Sequence, residues 1–224
     1  SLYLETLRSR VLIYDGAMGT SIQSYDLSAE DFGGPTYEGC NDYLVITRPD
    51  LIAEIHRSFL AVGVDVLETD TFRSNRLTLR EYHLDHRVIE VNQAAAALAR
   101  RCADEFATPD RPRFVAGSIG PSGYLPSTND PLLGNMTYAE LADVFREQAV
   151  GLLLGGVDLL LIETSQDILE VKAAIQGLKL AMAEVGRRVP MQVQVSLDTS
   201  GRMLLGTDIS AVLAILEPLG IDVI

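Results

Sequence analysis

The chain has 224 residues, of which 47% are hydrophobic and 22% are charged, as in an ordinary globular protein. Its 31 acidic residues outnumber its 18 basic residues and give a formal charge of −13. Because no basic cluster offsets this charge, the composition argues against nucleic acid or an anionic membrane as a partner. No apolar run reaches the ~18 residues that span a bilayer, and the N-terminus lacks a signal-peptide pattern, so we expect a cytoplasmic protein.

Short apolar runs alternate along the chain with stretches of helical period. The apolar runs predict strands at 11–14, 64–69, 113–117, 157–163, 191–197 and 221–224. The helical stretches predict helices at 49–62, 88–106, 138–154, 167–185 and 208–219. Thr137, with Glu140 three residues later, predicts a capping box at the start of the third of these helices.

The repeated strand–helix order favours an α/β fold with a parallel sheet, because most of the predicted strands are continuously apolar. Such an order fits either a doubly wound sheet or a (β/α)8 barrel. No G-x-G-x-x-G follows a strand, which weakens the dinucleotide-binding version of the doubly wound sheet. We therefore expect a (β/α)8 TIM barrel that is present only through about its sixth strand, with residues 1–224 forming one barrel domain that is incomplete at the C-terminus.

Two long segments, 21–48 and 121–136, follow predicted strands at the end where barrel active sites lie. Loops of this length in a compact domain are usually functional or disordered. Either they form walls or lids of a site, or they are plain insertions.

The stretch "YDGAMGT" at 14–20 places a carboxylate and two glycines where the first predicted strand ends. Asp15 is suited to accept hydrogen bonds from a ligand ammonium group, or only from its own turn. Gly16 and Gly19 permit unusual backbone angles and close approach of the chain to a ligand.

Other carboxylates stand at the ends of later strands. Glu163 ends the very apolar run "VDLLLIET", and a buried carboxylate without a partner is costly. Its partner is expected to be a ligand ammonium group or, alternatively, an arginine or a backbone N–H. Glu68 and Asp70 in "VLETDTF" raise the same question, and Asp70 is equally suited to cap the following helix.

The cysteines and histidines show no metal-binding pattern. Cys40 and Cys102 are far apart and belong to no CxxC or Cys/His cluster, and Cys102 falls on an apolar stripe typical of a core residue. His56, in the middle of a predicted helix, is expected to be structural. Ser118 and Ser196 lack a recognisable His/Asp arrangement, which argues against a serine hydrolase.

Several ordered motifs carry a resemblance to a known family. The segments "DGAMGT" (15–20), "CNDYLVITRPDLIAEIHRSFLAVGVDVLETDTF" (40–72), "VAGSIGP" (115–121) and "LIETSQD" (161–167) together resemble the homocysteine S-methyltransferase family. "NDPLLGNMTYAEL" (129–141) and "SGRMLLGTD" (200–208) look like the branch of the family that takes its methyl group from cobalamin. The resemblance implies an enzyme that transfers a methyl group from methylcobalamin, ultimately from 5-methyltetrahydrofolate, to the zinc-activated thiolate of homocysteine and so forms methionine.

The resemblance also assigns site residues. It implies that Asp15 and Glu163 lie at the homocysteine site, with Glu163 next to the substrate ammonium group. Backbone groups around Gly16 and Ala17 would hold the amino-acid end of the substrate, and Ser118 is a weaker candidate neighbour. Where the family commonly has E-T-N-T-F, this chain has Asp70 in place of the asparagine.

The cofactors implied by the resemblance involve residues that this sequence does not contain. The three family cysteines that bind zinc come after the sixth strand, and neither Cys40 nor Cys102 matches them, so the zinc ligands are expected beyond Ile224 and the fragment alone is expected to be inactive. Cobalamin and methyltetrahydrofolate are expected on separate downstream modules of the same chain. Two alternatives stay open: a stand-alone homocysteine methyltransferase that uses a sulfonium donor such as S-methylmethionine, and a non-catalytic amino-acid-binding barrel.

Overall fold

The structure, a computed structural model, describes residues 1–224 as an alternation of helices with short parallel strands. The strands are β1 Val66–Glu68, β2 Phe114–Ile119, β3 Leu159–Ser165 and β4 Met191–Val195. The α-helices are α1 Leu2–Ser9, α2 Met18–Gln23, α3 Leu44–Thr47, α4 Pro49–Val62, α5 Arg76–Leu79, α6 Val88–Phe106, α7 Tyr138–Gly155, α8 Ile168–Val185 and α9 Ile209–Leu216. The 3-10 helices are Pro35–Tyr37, Asn41–Tyr43, Arg80–Tyr82, Asp85–Arg87 and Glu217–Leu219.

The four strands form one parallel sheet in the order β1-β2-β3-β4. Each strand neighbours the next one along the chain, and helices connect them, as in the wall of a (β/α)8 barrel. The expected α/β fold with part of a barrel is therefore confirmed.

The first and sixth predicted strands are reduced to single bridges, so their predicted lengths were wrong. Tyr14 bridges Val66 at one edge of the sheet, and Val223 bridges Gln192 at the other. Both segments have a neighbour on one side only, and each makes three backbone hydrogen bonds to it around a single bridge pair. They nevertheless extend the parallel order of the sheet on both sides.

Helix α1 closes the inner face of the sheet at the end where the strands begin. Tyr3 of α1 is buried and packs edge-on against Phe114, with ring centroids 5.4 Å apart. Its hydroxyl donates to Gln192 Oε1 at 2.7 Å. The apolar cluster around it consists of Leu12, Val66, Phe114, Ala116, Leu159 and Leu161. Side chains therefore fill this end of the sheet's inner face.

The outer face of the sheet is covered by the long helices, whose positions agree with the sequence pattern. The capping box of Thr137 and Glu140 is present at the start of α7, as predicted. Gly177 of α8 lets that helix approach α7 closely, because a Cβ there would lie 2.4 Å from the carbonyl oxygen of Ala142. Cys102 is buried in α6, which confirms it as a core residue. None of the helices combines the length and apolarity that a membrane crossing requires.

Candidate functional site

A cavity of about 470 Å³ opens where the strands end, and it is lined by every residue that the sequence assigned to the site: Asp15, Gly16, Ala17, Ser118 and Glu163. These residues come from three separate segments of the chain, the turn before α2 and the ends of β2 and β3. The parallel order of the sheet brings them together, since the carboxyl ends of parallel strands meet at one edge.

Asp15 joins the first segment to β1. Its Oδ1 accepts a hydrogen bond from the backbone N–H of Glu68 at 3.0 Å, so the carboxyl group stabilises more than its own turn. Burial, with a smaller contribution from the charge of Glu163, raises the pKa of Asp15 to about 7, although the hydrogen bond from Glu68 acts in the opposite direction. A cationic group that entered the cavity would favour the ionised form.

Glu163 is held in the cavity by the neighbouring strand. Ser118, buried on β2, donates its Oγ hydrogen to Glu163 Oε1 at 2.5 Å. No arginine pairs with Glu163, which leaves the carboxylate facing the cavity with a single strong partner. The next residue, Thr164, has a φ of 57°, an uncommon angle for a β-branched residue, at a point where the register between β3 and β4 shifts.

The glycines of the DGAMGT turn adopt ordinary backbone angles, although glycine would permit unusual ones. Neither Gly16 nor Gly19 has a positive φ, so neither provides an unusual backbone angle. A Cβ at Gly16 would lie 3.0 Å from Cε1 of Phe59, and the close approach that needs glycine is to this α4 ring. The amides of Gly16 and Ala17 donate to no group of the chain, and both residues line the cavity.

A second group of acidic residues lines the same cavity, and the sequence had drawn attention only to Asp70 among them. Asp42 Oδ1 accepts from the backbone N–H of Arg73 and from Ser74 Oγ, both at 3.0 Å. Asp70 is only 7% exposed, and its Oδ2 has no hydrogen-bond partner. Burial, and then the charge of Asp42, raise the pKa of Asp70 well above its usual value.

Asp70 does not cap the following helix, as the sequence had allowed. Asn75 is the N-cap of α5, and its Oδ1 accepts from the backbone N–H of Leu77 and of Thr78. Asp70 lies five residues earlier, too far along the chain to reach these amides. Its carboxyl group is instead enclosed at the cavity wall.

The two long segments, 21–48 and 121–136, lie at the cavity or next to it. Residues 39–42 of the first line the cavity, and this segment contains short helices rather than a plain loop. The second segment is tied to the first turn of α8: Ser127 donates its backbone N–H to Asp167 at 2.8 Å, and Ser122 to Glu170 at 2.7 Å. Part of it, from Pro121 to Tyr124, lines a second, neighbouring cavity of about 450 Å³.

The residues of this chain do not fit a zinc site. No group of three or more His, Cys, Asp or Glu is arranged to hold a metal ion. Cys40 lines the cavity, where burial raises the pKa of its thiol to about 12, but no histidine and no second cysteine lines the cavity with it. Cys102 lies in the core of α6 and cannot join it.

Comparison with known proteins identifies the family of the chain. The sequence pattern of the family described as homocysteine S-methyltransferase matches residues 12–224. The chain belongs to this family. It is 45% identical over 221 residues to the methionine synthases of Mycobacterium tuberculosis and of Mycobacterium leprae. These matches cover 99% of this chain but only 18% of each relative, so the chain spans less than a fifth of their length.

Solved structures show the same fold at low sequence identity. The metallated form of the homocysteine methyltransferase MmuM from Escherichia coli superposes with a TM-score of 0.78 at 20% identity, covering 98% of this chain and 74% of that one. Its apo form gives a TM-score of 0.72 at 22% identity. At this identity the likeness establishes the fold of the family member and nothing about its ligands.

Proposed function

We propose that this chain is the homocysteine-binding barrel domain, residues 1–224, of a methionine synthase. In the overall reaction a sulfur–carbon bond forms to the methyl group, the thiol proton is lost, and the bond between the methyl group and its donor breaks. The observation that carries the proposal is the convergence of Asp15 and Glu163 on one cavity in which Arg73 is the only basic residue. The 45% identity to methionine synthases supports this function over a stand-alone enzyme with a sulfonium donor.

The residues of the chain supply binding and orientation of an amino acid. The carboxylates of Asp15 and Glu163 are acceptors for the substrate ammonium group, which donates three hydrogen bonds. Ser118 holds one oxygen of Glu163, so this acceptor is fixed before the ligand arrives. The backbone N–H groups of Gly16 and Ala17, which donate to no group of the chain, are suited to bind the substrate carboxylate. With both ends of the α-amino acid held, the sulfur is placed in the remaining space of the cavity.

The family of the chain is the only ground on which zinc and cobalamin enter the proposed function. Because the chain's own histidines, cysteines and carboxylates do not fit a zinc site, the activation of the thiol is not assigned to them. Further modules that bind methyltetrahydrofolate and cobalamin are proposed as partners, supported by the length of the curated relatives.

The proposal is tested by comparing two thiols that differ in one group. We expect calorimetry to show that L-homocysteine binds this chain at least about tenfold more tightly than 4-sulfanylbutanoate, which lacks the ammonium group, because that group meets two carboxylates. Equal affinity for the two thiols would contradict the assigned site. The Glu163→Gln variant should lose most of the difference, while Glu217→Gln, on an exposed 3-10 helix away from the cavity, should keep it.

A further inference from the structure

Glu68 stands in the same layer of the site as Ser118 and Glu163. Side chains alternate along a strand, so Glu68 points to the same face as Val66, whose side chain belongs to the apolar cluster on the inner face of the sheet. By the same alternation Ser118 follows Ala116 on β2, and Glu163 follows Leu161 on β3. The three polar residues therefore form the layer directly above the apolar one, and all three line the cavity.

The carboxyl group of Glu68 has no partner within the chain. Its backbone N–H donates to Asp15, but its side chain makes neither a hydrogen bond nor an ion pair. Arg73, the basic residue of the cavity wall, lies 3.5 Å from Glu81 instead. A carboxyl group at the end of a strand, in a cavity and without a partner, is available to a ligand.

The groups around Glu68 are predominantly acidic. Asp15 and Tyr14 face it from the first segment, Ser118 from β2 and Glu163 from β3. Burial, then the charges of Glu163 and Asp15, raise the pKa of Glu68 to about 8. In the empty cavity at neutral pH, Glu68 therefore carries a proton for much of the time, and Tyr14, whose pKa is raised by burial, stays neutral.

We propose that Glu68 is a third acceptor for the ammonium group of the amino acid and gives up its proton when that group binds. The proposal rests on the proposed function, since it concerns the same ligand and cavity. An ammonium group has three N–H donors, and Asp15, Glu68 and Glu163 provide three carboxyl groups from three neighbouring segments. The positive charge replaces the proton that Glu68 holds in the empty site.

Linkage gives this proposal a specific pH dependence. Because binding is coupled to loss of a proton, affinity rises as the pH increases through the pKa of Glu68. Glutamine resembles protonated glutamic acid in size but cannot ionise. Glu68→Gln should therefore match the natural chain at low pH and fall behind it at high pH, whereas a merely structural role would lower affinity equally at every pH.

The experiment is calorimetric titration of this chain with L-homocysteine and with L-methionine between pH 6.5 and 8.5. For the natural chain we expect affinity to rise at least about fivefold over this range, with proton release seen as a dependence on the buffer's ionisation enthalpy. Glu68→Gln should remove the part of the rise and of the proton release that belongs to the pKa of Glu68 and leave the part that belongs to Asp15 at lower pH, and Glu163→Gln should weaken binding at every pH. Unfolding midpoints identify any variant that has lost its fold.

The outcomes separate this inference from the proposed function. Parallel pH profiles for the natural chain and Glu68→Gln would overturn the role of Glu68 while leaving homocysteine binding in place. If L-methionine bound with the expected pH profile and L-homocysteine did not bind, homocysteine would be wrong as the proposed substrate, and the role of Glu68 as an acceptor for the ammonium group would stand. Absence of binding by both amino acids would overturn both.

Discussion

Ser118 Oγ lies 2.5 Å from Glu163 Oε1 and connects two neighbouring strands at the floor of the cavity. Ser118 is buried, so this hydrogen bond is sheltered from water on one side, while the second oxygen of Glu163 has only a long hydrogen bond of 3.4 Å from Thr164 Oγ1. A charge-assisted hydrogen bond of this kind fixes the carboxylate in one orientation.

Removal of this bond should affect ligand binding more than folding. We expect Ser118→Ala to weaken homocysteine binding about three- to tenfold, the equivalent of a net hydrogen bond of about 1 kcal/mol. In the Glu163→Gln background the same change should have a smaller effect, because the two residues act through one contact. Calorimetry measures both, with Ser58→Ala on α4 as the control. Full additivity of the two losses would show that Ser118 does not act through Glu163.

Asp70, where the family commonly has asparagine, should limit the stability of the chain. Its pKa is raised in the folded state, so the unfolded chain loses the proton first and folding loses stability as the pH rises above about 4, the usual pKa of an aspartate. Asp70→Asn removes this loss and is expected to stabilise the fold by about 1–3 kcal/mol at pH 7, with little effect near pH 4.

Chemical denaturation at pH 4 and pH 7 measures this difference. The exposed Asp50, which pairs with Arg48, provides the control, since Asp50→Asn should not raise stability at neutral pH. A destabilised Asp70→Asn variant at pH 7 would mean that the carboxylate is ionised and solvated by a group that the fold does not show.

His56 should make the fold sensitive to acid. It is fully buried in α4 with neither ring nitrogen bonded, and burial lowers its pKa to about 4. Since the unfolded chain binds a proton near pH 6.5, the contribution of neutral His56 is complete above that value and is lost as the pH falls toward 4. The loss amounts to about 3 kcal/mol.

Replacement by an apolar residue isolates this effect from the other titrating groups. The stability of His56→Leu, relative to the natural chain, should improve by about 3 kcal/mol between pH 7 and pH 4. Unfolding followed by circular dichroism at several pH values provides the measurement. Parallel stability curves would show that His56 has a polar contact in the folded state.

Zinc binding offers a direct check on the donor set. We expect equilibrium dialysis followed by elemental analysis to find no tightly bound zinc on the 224-residue chain, because no three donors converge and the Cys40 thiol stays protonated. Cys40→Ala should behave identically. One zinc ion per chain, lost in Cys40→Ala, would refute this account of the cavity.

The sequence was sufficient to predict which polar residues lie at the strand ends, because each of them comes directly after an apolar run. Asp15 and Glu163 each follow an apolar run, and parallel strands bring such positions to one edge whatever the details of packing. The partner of Glu163 was not predictable, since Ser118 reaches it through the register of β2 against β3.

Contacts between loops also could not be predicted from the sequence. Asp42 and Asp70 influence each other only because the segment after the first strand folds back beside the one after β1. The sequence suggested that Gly16 is needed for its backbone freedom, which is the usual reason for a glycine in a turn. In the structure the ring of Phe59 lies so close that it restricts the space for a side chain at this position. No pattern of neighbouring residues in the sequence indicates the contact of Gly16 with Phe59 or the proximity of Asp42 and Asp70.

Tyr3 fills the inner face of the sheet at the end opposite to the cavity. Its hydroxyl is bound to Gln192, its ring packs against Phe114, and it belongs to the apolar cluster of that face. The layer beneath the cavity is therefore made of packed side chains. On the proposed function, the amino acid lies above this packed layer, and the methyl donor meets it from the side of the strand ends, where the cavity opens.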